Sequence, residues 1–296
     1  MKILDIKLGY NCNNNCQFCE QGDKRFYEKD STTEEIKKLL KKESKKYDGV
    51  VLTGGEVTIR EDVFEIIKFA KQCNYNVAIR SNGRMFSSME FCYKMVEAGA
   101  DTFTLSLHGS TPQMHDQLTR VPGSFLQTLR GIFNLKKLDQ KVFANTVITK
   151  INYKDLANTL KVTLGMGVDG SLLSFMHINN LKDEKLIEEI VPRYKEIVPY
   201  IQDVLCEKIF VKSFPYCVLE EKYHKHILEK ILPLSFIYEI YEKKKIKDYQ
   251  KIRKDFIKVK QDNCKMCKFY KTCYGPSSNY VNIFGFDEFV PIKKCL

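Results

Sequence analysis

Six short apolar runs, each separated from the next by a segment with helical periodicity, occupy the first 180 residues and restrict the fold more than any other feature. Residues 3–8, 49–53, 76–80, 101–107, 141–149 and 170–176 have the length and residue types of strands. Helices are expected over residues 61–73, 88–98, 124–138 and 152–164. A further one should follow Ser31, Thr32 and Thr33, where Glu34 and Glu35 offer overlapping capping boxes and Ile36, Leu39 and Leu40 an apolar stripe. A parallel neighbour is reached only by a crossover, and a helix is the usual crossover. The alternation therefore predicts an α/β fold with a parallel sheet; it does not say whether the sheet closes.

Cys12, Cys16 and Cys19 follow the first strand in the run GYNCNNNCQFCEQ. Thiolates are the natural ligands of iron-sulfur clusters. Three of them in eight residues can hold three irons of a cubane and leave the fourth iron open for chemistry. A structural zinc or a ferredoxin cluster would call for a fourth protein ligand, and the next cysteine is Cys73.

This C-x3-C-x2-C spacing, with Phe18 just before the last cysteine, resembles the radical S-adenosylmethionine (SAM) superfamily. The resemblance implies an open, partial (β/α)6 barrel with its site at the carboxyl ends of the strands. It also implies a catalytic 4Fe-4S cluster whose open iron is chelated by SAM, and reductive cleavage of SAM to a 5'-deoxyadenosyl radical that abstracts hydrogen from carbon. The residue at Phe18 is then expected against the adenine. Reduced flavodoxin or ferredoxin is the implied electron donor.

Further motifs extend the likeness. Gly54, Gly55 and Glu56 in LTGGEVTIR are similar to the family's GGE motif, whose backbone meets the amino group of SAM; Val57 replaces the proline often found next. Two glycines let a backbone approach a ligand closely. Ser81 and Asn82 after the third strand, and Ser106 on the fourth, look like positions that touch the ribose or the methionine carboxylate. Thr104, Ser106 and His108 share one face of their strand, and His108 fits either a structural or a substrate-facing role. Arg120, in the loop and helix after the fourth strand, carries a guanidinium that can fork onto a carboxylate. Asn145 on the fifth strand is a candidate ligand contact, and Asn152 is expected to cap the next helix.

Beyond residue 180 the character changes. An amphipathic helix is expected over residues 183–208, interrupted by Pro192 and Pro199, then a strand over 209–212. Cys264, Cys267 and Cys273 form C-x2-C-x5-C, and Cys217 stands upstream in FPYCVLE. Four thiolates can complete one iron-sulfur cluster or one zinc site. The region resembles the SPASM and twitch appendages of the same family, which implies iron. Ser277 stands where that motif expects a further cysteine, so one auxiliary 4Fe-4S cluster in a shortened domain is expected. Cys295 is a possible substitute ligand and Cys206 a remoter one. Cys73 and Cys92 read as buried thiols within helices. The expected domains are a SAM-binding barrel over 1–180, a linking helix over 181–209 and an auxiliary-cluster domain over 210–296.

A chain of 296 residues can bury a large core. Its 11 cysteines lie partly in tight clusters, and its amino terminus is too short and too charged for a signal peptide. This points to a reducing, cytoplasmic and anaerobic setting, and no apolar run is long enough to span a membrane. The net charge of +11 owes much to residues 222–260, with 12 basic and five acidic residues. That segment carries no nucleic-acid module. Solvated helix faces explain it, with an acidic substrate or peptide as the alternative.

Many relatives with such appendages modify ribosomally made peptides. Because Cys12 lies so near the amino terminus, a peptide is expected to dock directly or through a separate peptide-binding protein. Dehydrogenation, epimerisation or rearrangement of a small metabolite is the second reading. A two-cluster electron carrier without chemistry of its own is the third, and it would not need the glycine loop.

Overall fold

The computed structural model describes residues 2–178, 183–228, 236–239 and 258–293. Within them, strands β1 (Ile3–Lys7), β2 (Gly49–Thr53), β3 (Asn76–Ser81), β4 (Thr102–Ser106), β5 (Lys141–Ile148), β6 (Gly170–Phe175), β7 (Ile209–Lys212) and β8 (Phe236–Glu239) form one sheet. Its order is β7-β6-β5-β4-β3-β2-β1-β8, and every pairing is parallel. The first six strands stand where the apolar runs put them, and the α/β half-barrel expected for the chain is the fold it adopts. Residues 209–212 join this same sheet beside β6.

Helices α1 (Thr33–Glu43), α2 (Val63–Gln72), α3 (Met89–Ala98), α4 (Pro112–Thr119), α5 (Ser124–Lys137) and α6 (Leu156–Gly165) supply the crossovers. The α1 capping box is present, with Thr32 Oγ1 accepting the Glu35 N–H and the Glu35 carboxylate accepting the Thr32 N–H. Gly123 precedes α5 without a side-chain cap, so Asp116 reaches across from α4 instead. Its carboxylate accepts the N–H groups of Gly123 and Phe125 and the Ser124 hydroxyl at 2.6–2.8 Å.

Alternation along the strands sorts the two faces. Leu4, Ile6, Val50, Leu52, Val77, Ile79, Phe103 and Leu105 pack against the helices as a core with Ile36, Ile66 and Ile132. The other face, lining the interior of the curl, carries the polar residues Asp5, Lys7, Arg80, Thr104, Ser106, Asn145, Ser174 and Lys212 interspersed with the apolar Val51, Phe143, Leu172 and Phe210.

The helix expected over 183–208 is two helices, α7 (Glu184–Ile190) and α8 (Tyr194–Gln202), broken at Pro192, while Pro199 is accommodated inside α8. Beyond them α9 (Ser278–Phe284) returns to the barrel. Tyr280 is fully buried among Phe175, Tyr194 and Phe289. Arg193 pairs with Asp287 at 2.6 Å and with the buried Glu288 at 3.2 Å.

Candidate functional site

The chain leaves β1 and crosses the carboxyl ends of the strands as the loop that holds Cys12, Cys16 and Cys19. Asp30 fixes its start, accepting the Tyr10 N–H at 2.6 Å and the Asn11 side-chain amide at 3.0 Å. Helix α4 holds its middle: Asn15 and Gln17 donate backbone N–H groups to the Thr119 and Leu118 carbonyls at 2.9 and 3.0 Å. Carbonyls in the last turn of a helix lack partners within it, and the loop uses them.

Burial pushes the Cys12 thiol up to about 11 and the Cys16 thiol up to about 12. Neighbouring thiols add to both shifts, Cys19 acting on Cys12, and Cys19 and Cys12 on Cys16. The three sulfurs are therefore within electrostatic reach of one another. Among the described residues no group of three or more Cys, His, Asp or Glu side chains has the closeness of a single-ion site. A cubane differs from a single ion in spreading its ligands over separate corners.

Gly54, Gly55 and Glu56 lie against this loop. Gly55 and Glu56 donate N–H groups to the Gly9 and Asn11 carbonyls at 2.8 and 2.7 Å. A Cβ at Gly55 would stand 2.2 Å from the Asn11 oxygen, and Gly54 has φ +143°. The close approach that the glycines permit here is thus to the cysteine loop itself. Glu56 is 2% exposed. Its carboxylate accepts the Thr58 N–H and hydroxyl and the Asn82 N–H, and burial raises its pKa against these hydrogen bonds.

The end of β3 completes the cradle. Asn82 donates its side-chain amide to Asn13 Oδ1 at 2.6 Å and to Cys12 Sγ at 3.9 Å, and Cys12 Sγ also accepts the Asn14 N–H at 3.4 Å. Ser81 is buried, with its hydroxyl accepting the Gly83 N–H. Sequence reasoning missed Arg84, two residues past Asn82. Its guanidinium donates to the Asn13 carbonyl, to Asn14 Oδ1 at 3.1 Å and to Gln127 Oε1 at 2.6 Å. The run SNGR after a strand was the available signal.

Phe18 is 8% exposed and meets the His108 ring edge-on at a centroid distance of 4.7 Å. His108 accepts the Val147 N–H on Nδ1 and stacks on His115, whose Nδ1 accepts the His108 N–H. Burial drives the pKa of both imidazoles down. Ser106 and Asn145 are register partners on the inner face, and Asn145 accepts the Ser174 hydroxyl at 2.7 Å. Asn152 does not cap its helix. It accepts the Thr149 N–H and donates to the His108 and Val147 carbonyls, fastening the end of β5 to that of β4. Arg120 is exposed, in a left-handed conformation that ends α4.

The carboxyl-terminal thiols form a second group. Burial pushes Cys217 up to about 12, and Cys273, Cys264 and Cys267 add to the rise. A short 3-10 turn over Asp262–Met266 presents Cys264, and Phe269 stacks on Tyr216 at 4.5 Å beside Cys217. Cys206 is exposed. Cys295 and most of the basic segment lie outside the described residues. Cys92 is buried in α3 as expected, and Cys73 ends α2 half-buried.

A parallel half-barrel with a thiol loop and a glycine turn at the carboxyl ends of its strands defines a class of enzyme core. Residues 6–163 match the Radical SAM superfamily, and the chain belongs to it. It is similar to an AdoMet-dependent heme synthase of Methanosarcina barkeri, 27% identical over 216 residues, which are 72% of this chain and 61% of the relative. It also resembles a probable GTP 3',8-cyclase of Thermococcus kodakarensis, 34% identical over 149 residues, 50% of this chain and 48% of that one. The chain thus spans about half to three fifths of these relatives.

Among solved structures, native anSMEcpe with bound AdoMet and Cp18Cys peptide superposes with a TM-score of 0.68 at 16% identity, covering 98% of this chain and 96% of that one. SuiB of Streptococcus suis bound to precursor peptide SuiA gives 0.55 at 15%, over 71% and 48%. These likenesses concern the fold.

Family membership implies SAM and a catalytic 4Fe-4S cluster. The donor chemistry of the loop suits such a cluster: the three thiols are half-buried and lie close enough that each thiolate disfavours the next, a charge that positively charged irons would offset. No helix among the described residues is long and apolar enough to cross a membrane.

Proposed function

We propose that the protein is a radical SAM oxidoreductase that removes a hydrogen atom from its substrate and completes a two-electron oxidation or crosslink through an auxiliary cluster. Cys12, Cys16 and Cys19 hold the catalytic cluster, and Cys217, Cys264, Cys267 and Cys273 the auxiliary one. When bound, the catalytic cluster and SAM supply the electron and the 5'-deoxyadenosyl radical that start the reaction. Phe18 packs on the adenine, while Gly54, Gly55 and Glu56 shape the turn beside the methionine amine. Ser81, Asn82, Ser106, Asn145 and Arg120 are the remaining candidate contacts to SAM. On this reading residues 1–180 hold SAM, 181–209 form the link and 210–296 carry the auxiliary cluster.

The observation that carries the reading is the second thiol group, with Cys264, Cys267 and Cys273 all acting on Cys217. Cys217, Cys264, Cys267 and Cys273 would occupy every corner of a cubane, leaving no iron open to substrate, and the cluster they hold would supply an acceptor for one electron. A ribosomally made peptide is the substrate that the whole-length likeness to a peptide-bound fold supports. A small metabolite is the second reading, supported by the heme synthase and GTP cyclase relatives. Reduced flavodoxin or ferredoxin is the donor in either case, and a separate peptide-binding protein belongs to the first.

Iron and sulfide analysis of anaerobically reconstituted protein tests the two clusters. Wild type should hold about eight irons, and replacement of either cysteine set by alanine should leave about four. About four irons in wild type, unchanged on removing Cys217, Cys264, Cys267 and Cys273, would exclude the auxiliary cluster.

A further inference from the structure

Asn82, just past β3, is engaged at all of its polar groups. Its backbone N–H donates to Glu56 Oε2 at 2.6 Å, and its carbonyl accepts the Thr128 hydroxyl at 2.8 Å. Its Oδ1 accepts the Arg84 backbone N–H at 3.0 Å. This last bond decides which way the side-chain amide is turned, because only its oxygen can accept, and the NH2 group is therefore the part that faces the thiol loop. Nδ2 stands 2.6 Å from Asn13 Oδ1 and 3.9 Å from Cys12 Sγ. An amide nitrogen carries two protons, so both bonds are made at once.

Cys12 Sγ also accepts the Asn14 N–H at 3.4 Å. Two N–H groups from different parts of the fold thus end on one sulfur. The first comes with the local turn of the loop. The second is brought from 70 residues along the chain and held by Glu56 after β2, Thr128 in α5 and Arg84.

A thiolate accepts hydrogen bonds more strongly than a thiol, since the bond is then charge-assisted. Reduction of a cluster ligated by that sulfur adds one electron, given up by the reduced flavodoxin or ferredoxin, and so one negative charge. N–H dipoles aimed at the sulfur stabilise the added charge, and hydrogen bonds of this kind are among the factors that set iron-sulfur potentials. The direction is upward, which enlarges the fraction reduced by a given donor.

We propose that the side-chain amide of Asn82, turned by the Arg84 N–H, donates to the sulfur of Cys12 and raises the reduction potential of the catalytic cluster. The inference rests on the radical SAM reading and gives Asn82 a role toward the cluster that is separate from contact with SAM. Because it acts through Cys12, Asn82 is a positioning residue.

The test is a redox titration, monitored by electron paramagnetic resonance, of full-length, anaerobically reconstituted protein without SAM. The catalytic cluster is identified by the change in its signal when SAM is added to a parallel sample. Asn82→Leu keeps the bulk of the side chain and Asn82→Ala removes it. Both lack the donor, and both should move the midpoint to a more negative potential. Thr128→Val releases the Asn82 carbonyl but leaves its amide, so its midpoint should match wild type. Midpoints at or above wild type in the Asn82 variants, or an equal downward shift in Thr128→Val, overturn the proposal. If the Asn82 variants hold no iron, electron-nuclear double resonance of the reduced wild-type cluster, with asparagine side chains labelled with nitrogen-15, decides instead. A coupling to labelled amide nitrogen supports the bond and its absence overturns it. A wild type that forms no SAM-sensitive cluster would defeat the radical SAM reading itself, so the two failures are distinguishable.

Discussion

The buried carboxylate of Glu56 accepts the backbone N–H of Asn82 at 2.6 Å. This bond ties the turn after β2 to the end of β3, and through Asn82 to Asn13 and Cys12 of the thiol loop. Burial raises the pKa of this carboxylate, and the hydrogen bonds it accepts oppose that rise. Replacing it with alanine strands the Asn82 and Thr58 N–H groups, at a cost of about 1–3 kcal/mol for each unsatisfied group. Glu56→Ala should therefore lower the denaturant midpoint and weaken SAM binding together. Equilibrium unfolding and SAM titration check this; a variant with wild-type values in both would remove Glu56 from the cradle.

Arg84 holds the same loop from the other side. Its guanidinium joins the Asn13 carbonyl and Asn14 Oδ1 to Gln127, a geometry that lysine cannot reproduce. Arg84→Lys and Arg84→Ala should both lose iron on desalting and broaden the electron paramagnetic resonance spectrum of the reduced cluster. Arg84→Ala should be the worse of the two. Spectra identical to wild type would show that the loop is held without it.

Asp116 substitutes for the cap that Gly123 cannot supply to α5. Asp116→Ala removes the acceptor for two backbone N–H groups and a hydroxyl and should cost about 2 kcal/mol, read as a lower denaturant midpoint. Because its contacts are with α5 rather than the thiols, SAM binding by the folded protein should persist.

Acid sensitivity follows from His115. Burial lowers its pKa from 6.5 to about 4, with Asp116 partly opposing the shift. The unfolded state binds the proton more readily, so the stability it contributes is complete above pH 6.5 and is lost as pH falls toward 4. The full loss is about 3 kcal/mol. Unfolding free energies measured across this range should fall by less in His115→Asn than in wild type. Equal slopes would mean that other groups govern the acid limb.

The strand and helix pattern through residue 176 was legible because each strand has one face in the helical core and each helix an apolar stripe. The three thiols and the glycine turn were legible as short local motifs. What sequence did not disclose are contacts made across the fold. Asp30, Arg84 and the end of α4 hold the loop through bonds that span 19 to more than 100 residues. Asn152 looked like a cap because asparagine commonly caps helices, whereas its side chain bridges two strand ends.

The most direct test of the central claim is formation of 5'-deoxyadenosine from SAM by reduced, anaerobically reconstituted protein, beside the variant in which Cys12, Cys16 and Cys19 are all alanine. The account predicts 5'-deoxyadenosine from wild type and none from the variant. Equal amounts from both, or none from a wild type that binds SAM and carries its full iron in the presence of its substrate, would contradict it.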